Sequence, residues 1–529
     1  MISKILLVLR TISYLKPKQI LFRFFYLFRS KLRRLVRFKY KYNLYRKGKA
    51  LNFTQPIANS SSYNNNKFYF LNRTVFFSNE IDWGYLENGM LWAYNINYFD
   101  YLNQYEITKE EGEELILKFI DKLPTLSVAN DPYPISLRGI NWVKFLSKHS
   151  ISKKSIDTSL YSQYRILLDK LEFHILGNHL LENAFSLMFG AYYFNGTELY
   201  KKGKEILIKE LNEQVLADGA HYELAPMYHK IMLCRLLDVL NLIQNNKDVY
   251  YEKEFHQFLI EKSKVMLSWL EEVTFVNGTT PRVNDSTEYI APESHEIFQY
   301  AKRLGIAWEK TQLNESGYRM YKKGNYELFV DYAQIGPDYI PGHAHADTFS
   351  FLLNIGGKPI LVDPGISTYE AGRRRQVERS TSYHNTVVYA KDNQSEVWGG
   401  FRVGRRAYAK IKEETNNSIL GYHNGYKRNG VYHYRRFDVE ENGFKIKDYI
   451  ICDIENIAPS VAYFHFHPNC IVELGLNEVK ADNITLSFEH NENIKLQTYN
   501  YAHGYNFLDK AKVVAVSFQE TLITNVKVE

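Results

Sequence analysis

The hydrophobic pattern changes period once along this chain, and the change divides it. From about residue 80 to about 310, apolar residues recur at helical spacing. Glu111–Leu126, Ser155–Leu176, His179–Phe194, Glu198–Val215, Ala225–Gln244, Glu254–Phe275 and Pro292–Leu304 each read as amphipathic helices joined by short polar turns. Successive helical hairpins of similar length imply a bundle or a toroid of helix pairs. From about 320 the period becomes 2. Tyr326–Tyr332, Phe349–Ile355, Val431–Val439, Phe444–Cys452, Ile494–Tyr499 and Val513–Phe518 are among the runs that read as strands, with Gly, Asn, Asp and Pro in the gaps. That pattern predicts an antiparallel β-sandwich. A chain of 529 residues is too long for one core. The expected division is an N-terminal arm and connector (1–79), an all-α domain (80–315) and a β-domain (316–529).

Charge is distributed as unevenly as periodicity. The formal net charge is +7, yet residues 1–79 hold 17 Lys and Arg and no acid, so the other 450 residues are net −10 (7 − 17). Leu21, Phe24, Phe25, Leu27 and Phe28 interleave with Arg23, Arg29, Lys31, Arg33 and Arg34. This reads either as a basic amphipathic helix for an anionic membrane surface or as a helix packed on the body with its arginines solvated. The acidic body and the lack of a nucleic-acid motif argue against a nucleic-acid partner. The run Ile5–Leu9 is cut by Arg10 and is too short for a signal peptide, and no apolar run is long enough to span a bilayer. Three scattered cysteines make neither a disulfide framework nor a cysteine zinc site. Together these readings lead to the expectation of a cytoplasmic protein, peripheral at the inner membrane. The oligomeric state is not readable.

Chemistry concentrates in three clusters. Gly342-His343-Ala344-His345 is followed by Asp363 in Val-Asp-Pro-Gly and by His384 in Tyr-His-Asn-Thr. On a strand the two histidines of His-x-His would face one side. His345, Asp363 and His384 form a ligand set that suits Zn²⁺, which leaves His343 free for chemistry. A turn rich in hydrogen-bonding histidines is the alternative. The second cluster, 218–229, contains His221, Glu223, Tyr228 and His229, with Pro226 placed for the first turn of a helix. In the third, Asn178 and His179 follow Gly177, where Asn178 reads equally as a helix N-cap. Beyond the His-x-His segment, Tyr369 and an arginine-rich loop that includes Arg379 suit an anionic substrate, or form a solvated charged loop.

The segments GNHLLENAFSLMFGAYYF, DGAHYELAPMYHKIML, GHAHADTFSFLLNIGGKPILVDPG and STSYHNTVVY resemble, in order and spacing, the heparinase II/III-like polysaccharide lyases, which include alginate lyase-like members. The resemblance implies an N-terminal α/α toroid (an incomplete helical barrel) followed by a C-terminal antiparallel β-sandwich. It implies β-elimination on a uronic-acid-containing glycan such as a glycosaminoglycan. Asn178 with His179 would bind the uronate carboxylate, Tyr228 would act as acid and also as base, and His343 would assist neutralisation or act as base. One structural zinc per chain would sit on His345, Asp363 and His384. The similar segment PISLRGINWVKFL would bring Arg138 and Trp142 to the cleft beside Glu223, Tyr369 and Arg379. The partner would be an anionic polysaccharide, and a link to capsule or surface-polysaccharide metabolism is expected. The alternative is a non-catalytic glycan-binding or scaffold protein of surface-polysaccharide assembly that keeps the lyase fold.

Overall fold

The computed structural model describes residues 2–452 and 458–529. Two helices, Ile2–Ile12 and Pro17–Leu35, open the chain. An extended strap then runs along the helical domain, and side chains of the helices satisfy its backbone donors. Leu44 N–H donates to Ser162 Oγ (3.0 Å), Gly48 N–H to Asp157 Oδ2 (3.0 Å) and Asn52 N–H to Asn246 Oδ1 (2.9 Å). A small three-stranded sheet, Tyr63–Asn64, Lys67–Phe70 and Arg73–Phe76, completes the connector. Among the described residues, no helix is long and apolar enough to cross a membrane.

The helical domain contains the seven expected helices, with boundaries moved by a few residues, and two more, Met90–Tyr98 and Pro132–Lys148. Pro132–Lys148 escapes periodicity because it is buried almost all round, which erases the polar stripe, and Met90–Tyr98 because its nine residues are too few to show a period. Gly177–Phe194 is the central helix and is apolar on nearly every face. It approaches its neighbours closely. A Cβ at Gly190 would lie 2.7 Å from the Tyr164 ring, and one at Gly139 of the helix Pro132–Lys148 would lie 2.9 Å from Ser186 Oγ.

Here two expected cleft residues prove to be structural. Arg138 is fully buried and donates to Gln163 Oε1 (2.6 Å), Asn97 O (3.0 Å) and Ala129 O (2.8 Å). Burial pushes its guanidinium down to about 9. Trp142 is buried between the edges of Phe99 and Phe119. Neither side chain faces a cleft, because the helix Pro132–Lys148 turns both into the core.

The change to strands falls between Arg303 and Tyr318. An eight-stranded antiparallel sheet includes Val431–Glu440, Gly443–Cys452 and Thr521–Val528 as adjacent strands. Two four-stranded antiparallel sheets face it. One includes Tyr326–Asp331 and Phe351–Ile355, and the other Ser460–His465 and Phe507–Phe518. Alternation in Val431–Glu440 turns Val431, Phe437 and Val439 inward, where they join Phe351, Phe444 and Phe464 in one core. The chain is thus a helical domain followed by a β-sandwich. Residues 332–350, which carry both histidines of His-x-His, are a loop rather than a strand.

Candidate active site

The site lies where the starts of two helices meet loops of the β-domain. Asn178 occupies the first turn of the helix Gly177–Phe194. It is not the cap: Leu176 precedes the helix, and the Asn178 amide points to Glu223 instead. Asn178 Nδ2 donates to Glu223 Oε2 (2.9 Å) and Oε1 (3.1 Å), and its backbone N–H donates to Oε1 (3.0 Å). Position 177 must be glycine for this approach. Its φ is +62°, and a Cβ would stand 2.8 Å from Glu223 Oε1 and 2.8 Å from Ile340 Cδ1. Glu223, expected on the substrate, is buried beneath Asn178, so it positions that amide.

Tyr228 sits in the first turn of the helix Pro226–Asn245, where Pro226 opens the helix as anticipated. The turn before it is pinned to the β-domain. Leu224 has a φ of +56°, and its carbonyl accepts from Tyr318 Oη (2.6 Å) and Asn284 Nδ2 (2.9 Å). That fixes where the helix starts and hence where Tyr228 points. The Tyr228 ring stacks on His343, with centroids 3.9 Å apart and planes at 29°. Its hydroxyl lies 3.1 Å from Tyr369 Oη. Burial raises the Tyr228 hydroxyl well above its ordinary pKa, so it stays protonated.

His343 Nε2 lies 3.4 Å from Asn178 Nδ2 and 3.5 Å from Glu223 Oε2. Its other nitrogen, Nδ1, lies 3.0 Å from Asp285 Oδ2. The periodicity of the sequence never pointed to Asp285, yet it is the hub of the site. Besides His343 it meets His345 Nε2 (2.9 Å) through Oδ1 and Arg375 Nη2 (2.6 Å) through Oδ2. Burial opposes its charge, but Arg375 and the two histidines hold the carboxyl well below the usual carboxylate range. A carboxylate at Nδ1 makes that nitrogen the donor and leaves His343 Nε2 as the acceptor. The only sequence signal was the polar string Asn284-Asp285-Ser286, which also fits an ordinary turn. Its neighbours brace the site: Asn284 Oδ1 accepts from His345 N–H (2.9 Å) across the domain boundary, and Ser286 Oγ accepts from Met227 N–H (3.2 Å) within the helical domain.

The remaining expected residues divide. His179 stays next to Asn178 but bonds Glu172 Oε1 through Nδ1 (2.9 Å) and leans on Tyr133. Burial works against its charge, yet Glu172 leaves its pKa raised overall. Tyr369 is in the site. Arg379 is not: it is buried, and it donates to Ala344 O (2.9 and 3.1 Å) and Gly400 O (3.2 Å). It braces the His-x-His loop from behind because its own helix turns it inward. Arg373 and Arg374, one turn earlier, are the exposed cations of that loop.

The expected zinc ligands are neighbours. The His345 and His384 rings are 5.3 Å apart, and His384 Nδ1–H donates to Asp363 Oδ2 (2.8 Å). His345 Nδ1, His384 Nε2 and Asp347 Oδ2 are buried without a hydrogen-bond partner. Buried, unpartnered imidazole nitrogens backed by carboxylates are donors of the kind zinc takes. Among the described residues, however, no three such groups already form a cage, since Asp363 is turned onto His384 and Gly365 N–H (2.8 Å).

The heparinase II/III N-terminus model matches residues 135–304, and the heparinase II/III-like C-terminal model matches 306–528. The chain belongs to the heparinase II/III-like family. A heparin-sulfate lyase of Bacteroides stercoris is 24% identical over 380 residues, 65% of this chain and 54% of that protein. A heparin-sulfate lyase of Pedobacter heparinus is 25% identical over 280 residues, 47% of this chain and 40% of that protein. The chain therefore spans about half the length of these relatives. In fold it is similar to a solved heparinase III (TM-score 0.63, 14% identity, 85% of this chain and 80% of that one). It is likewise similar to the heparan sulfate lyase HepC of Pedobacter heparinus (TM-score 0.55, 16% identity, 88% and 82%).

Proposed function

We propose that this protein is a polysaccharide lyase that cleaves a uronate-containing glycosaminoglycan by β-elimination. The observation that carries the reading is the convergence of Asn178, Tyr228 and His343 from two domains. His343 stacks on Tyr228 at 3.9 Å and lies 3.4 Å from the Asn178 amide. The Asn178 N–H that faces His343 Nε2 at 3.4 Å would turn to the uronate carboxylate when substrate binds, which lowers the cost of charge developing at C5. His343 Nε2, its tautomer set by Asp285, removes the C5 proton. The electron pair moves to form the C4–C5 double bond, and the C4–O4 bond breaks. The Tyr228 hydroxyl, kept protonated by burial, gives its proton to the leaving oxygen. Arg373 and Arg374 supply positive charge for an anionic chain.

The reading includes one structural zinc at His345, Asp363 and His384. When bound, the metal would fix the loop that carries His343. Elemental analysis of purified protein tests it: about one zinc per chain is expected, lost in His384→Ala. No metal in either protein, with equal thermal stability, would remove it.

The reaction is tested on heparan sulfate, chondroitin sulfate, hyaluronan and alginate by the ultraviolet absorbance of an unsaturated uronate product. Product from at least one polymer, lost in Tyr228→Phe, is expected. Binding without product by a folded protein would favour the glycan-binding scaffold.

A further inference from the structure

The helix Pro17–Leu35 is docked on the wrong side for a helix of a water-soluble surface. Gln19, Phe22, Tyr26, Arg29 and Arg33, spaced three to four apart, face the body. Gln19 Nε2 donates to Ile175 O (3.0 Å) and Tyr339 O (3.3 Å). The Phe22 ring lies 4.8 Å from Phe173, and Arg29 and Arg33 pair with Asp169 at 3.1 and 2.6 Å. The opposite stripe is Leu21, Phe24, Phe25, Phe28, Leu32 and Leu35, each between 47% and 81% exposed. A soluble amphipathic helix shows the reverse order, apolar inward and charge outward. The helix Ile2–Ile12 repeats the arrangement. Arg10 pairs with Glu396 (2.8 Å) and Thr11 Oγ1 accepts from Trp398 Nε1 (3.1 Å), while Ile5, Leu6, Leu9 and Ile12 are exposed. Contacts with both domains hold the arm in place, so the apolar face is not a loose tail waiting to fold back.

We infer that the outward face of Pro17–Leu35 seats on an anionic phospholipid bilayer. The charge beside the face selects the occupant. Lys31, Arg34 and Arg37 flank the stripe and are exposed. A groove of about 650 Å³ at its base holds Arg34, Arg37 and Lys170 beside the Asp169-paired Arg29 and Arg33, with one carboxylate, Asp131, in its lining. No acidic residue occurs before Glu80. A second copy would bring the same uncompensated positive charge against itself. A nucleic acid or an acidic polymer would neutralise the arginines but offer no medium for six large apolar side chains. Lipid with anionic headgroups satisfies both.

The test is co-sedimentation of the full chain with vesicles of phosphatidylcholine alone or mixed with phosphatidylglycerol, at physiological and high salt. No glycan is present, so the result is independent of lyase activity. Wild type is expected to bind the anionic vesicles about tenfold or more better than the neutral ones, and high salt weakens but does not abolish binding. The combined variant Leu21→Gln, Phe24→Gln, Phe28→Gln keeps its melting temperature and loses about tenfold or more in binding. The combined variant Lys31→Gln, Arg34→Gln, Arg37→Gln loses the preference for anionic lipid. Equal binding by the apolar variant overturns the inference, as does complete loss of wild-type binding in high salt. A wild-type dimer that the apolar variant dissociates would give the face to a second copy and would also overturn it.

Discussion

Two buried arginines, Arg138 and Arg375, show what separates a structural polar cluster from a functional one. Both are fully buried. Arg138 meets only neutral acceptors of its own domain. Arg375 meets the Asp285 carboxylate, which in turn holds His343 and His345. At the far side of that chain lie groups whose contacts a substrate can replace: His343 Nε2 and the Asn178 amide, 3.4 Å apart, and the Tyr228 hydroxyl, 3.1 Å from Tyr369 Oη. Burial of charge marks both clusters, but only the second joins two domains and ends in titratable groups that face one another across them. The comparison can be broken or sharpened by four measurements.

The largest effect is expected from the free end of the Arg375 chain. Tyr228→Phe removes the proton donor and keeps the stacked ring, so turnover should fall by about 10²–10⁴-fold with little change in melting temperature or substrate affinity. Steady-state kinetics beside a thermal melt decides this, and near-normal turnover would move the acid elsewhere.

Asp285→Asn, at the hub, should cost both quantities. It leaves the Arg375 charge buried without its carboxylate, a loss of about 3–5 kcal/mol in denaturant unfolding. It also unsettles the His343 tautomer, so turnover of the remaining folded protein drops too. Unchanged turnover per folded molecule would reduce Asp285 to a purely structural role.

Arg138→Met tests the other arginine. The volume is largely kept, but three buried acceptors lose their donor, at a cost of roughly 2–3 kcal/mol. Turnover per folded molecule should stay at the wild-type value, and a selective loss of turnover would restore Arg138 to the substrate.

A pH dependence comes from the histidines behind Tyr228. His229 accepts from His221 N–H at Nδ1 (3.1 Å) and faces Met266 O with Nε2 (3.0 Å), which requires its neutral form. Burial lowers His221 from 6.5 to about 4 and His229 from 6.5 to about 3. Their unfolded forms therefore take up protons first. Stability should be flat above about pH 6.5 and fall as pH drops from there toward 4, by an amount on the order of a few kcal/mol. Urea midpoints across that range check the sign, and His229→Gln should blunt the slope.

Periodicity alone located seven of the helices, the switch to strands and the basic arm, because a half-buried element writes its buried face into every turn or every second residue. It could not register Pro132–Lys148, which is buried nearly all round, or Met90–Tyr98, which is only nine residues long. Motif clusters put Asn178, Tyr228 and His343 on the page as candidates, and the family resemblance supplied their roles. Only the tertiary structure decided that the three meet. It also turned Arg138, Trp142 and Arg379 inward, placed Glu223 under Asn178 and made Asp285 the hub. It set the arm with its arginines against Asp169 and its phenylalanines toward solvent, where the sequence left membrane face and packed face open. The reason is common to all of these. A sequence specifies local faces through spacings of two to four residues. Whether a buried charge finds a neutral carbonyl or another domain's carboxylate depends on contacts between residues tens to hundreds of positions apart, and no local spacing encodes them.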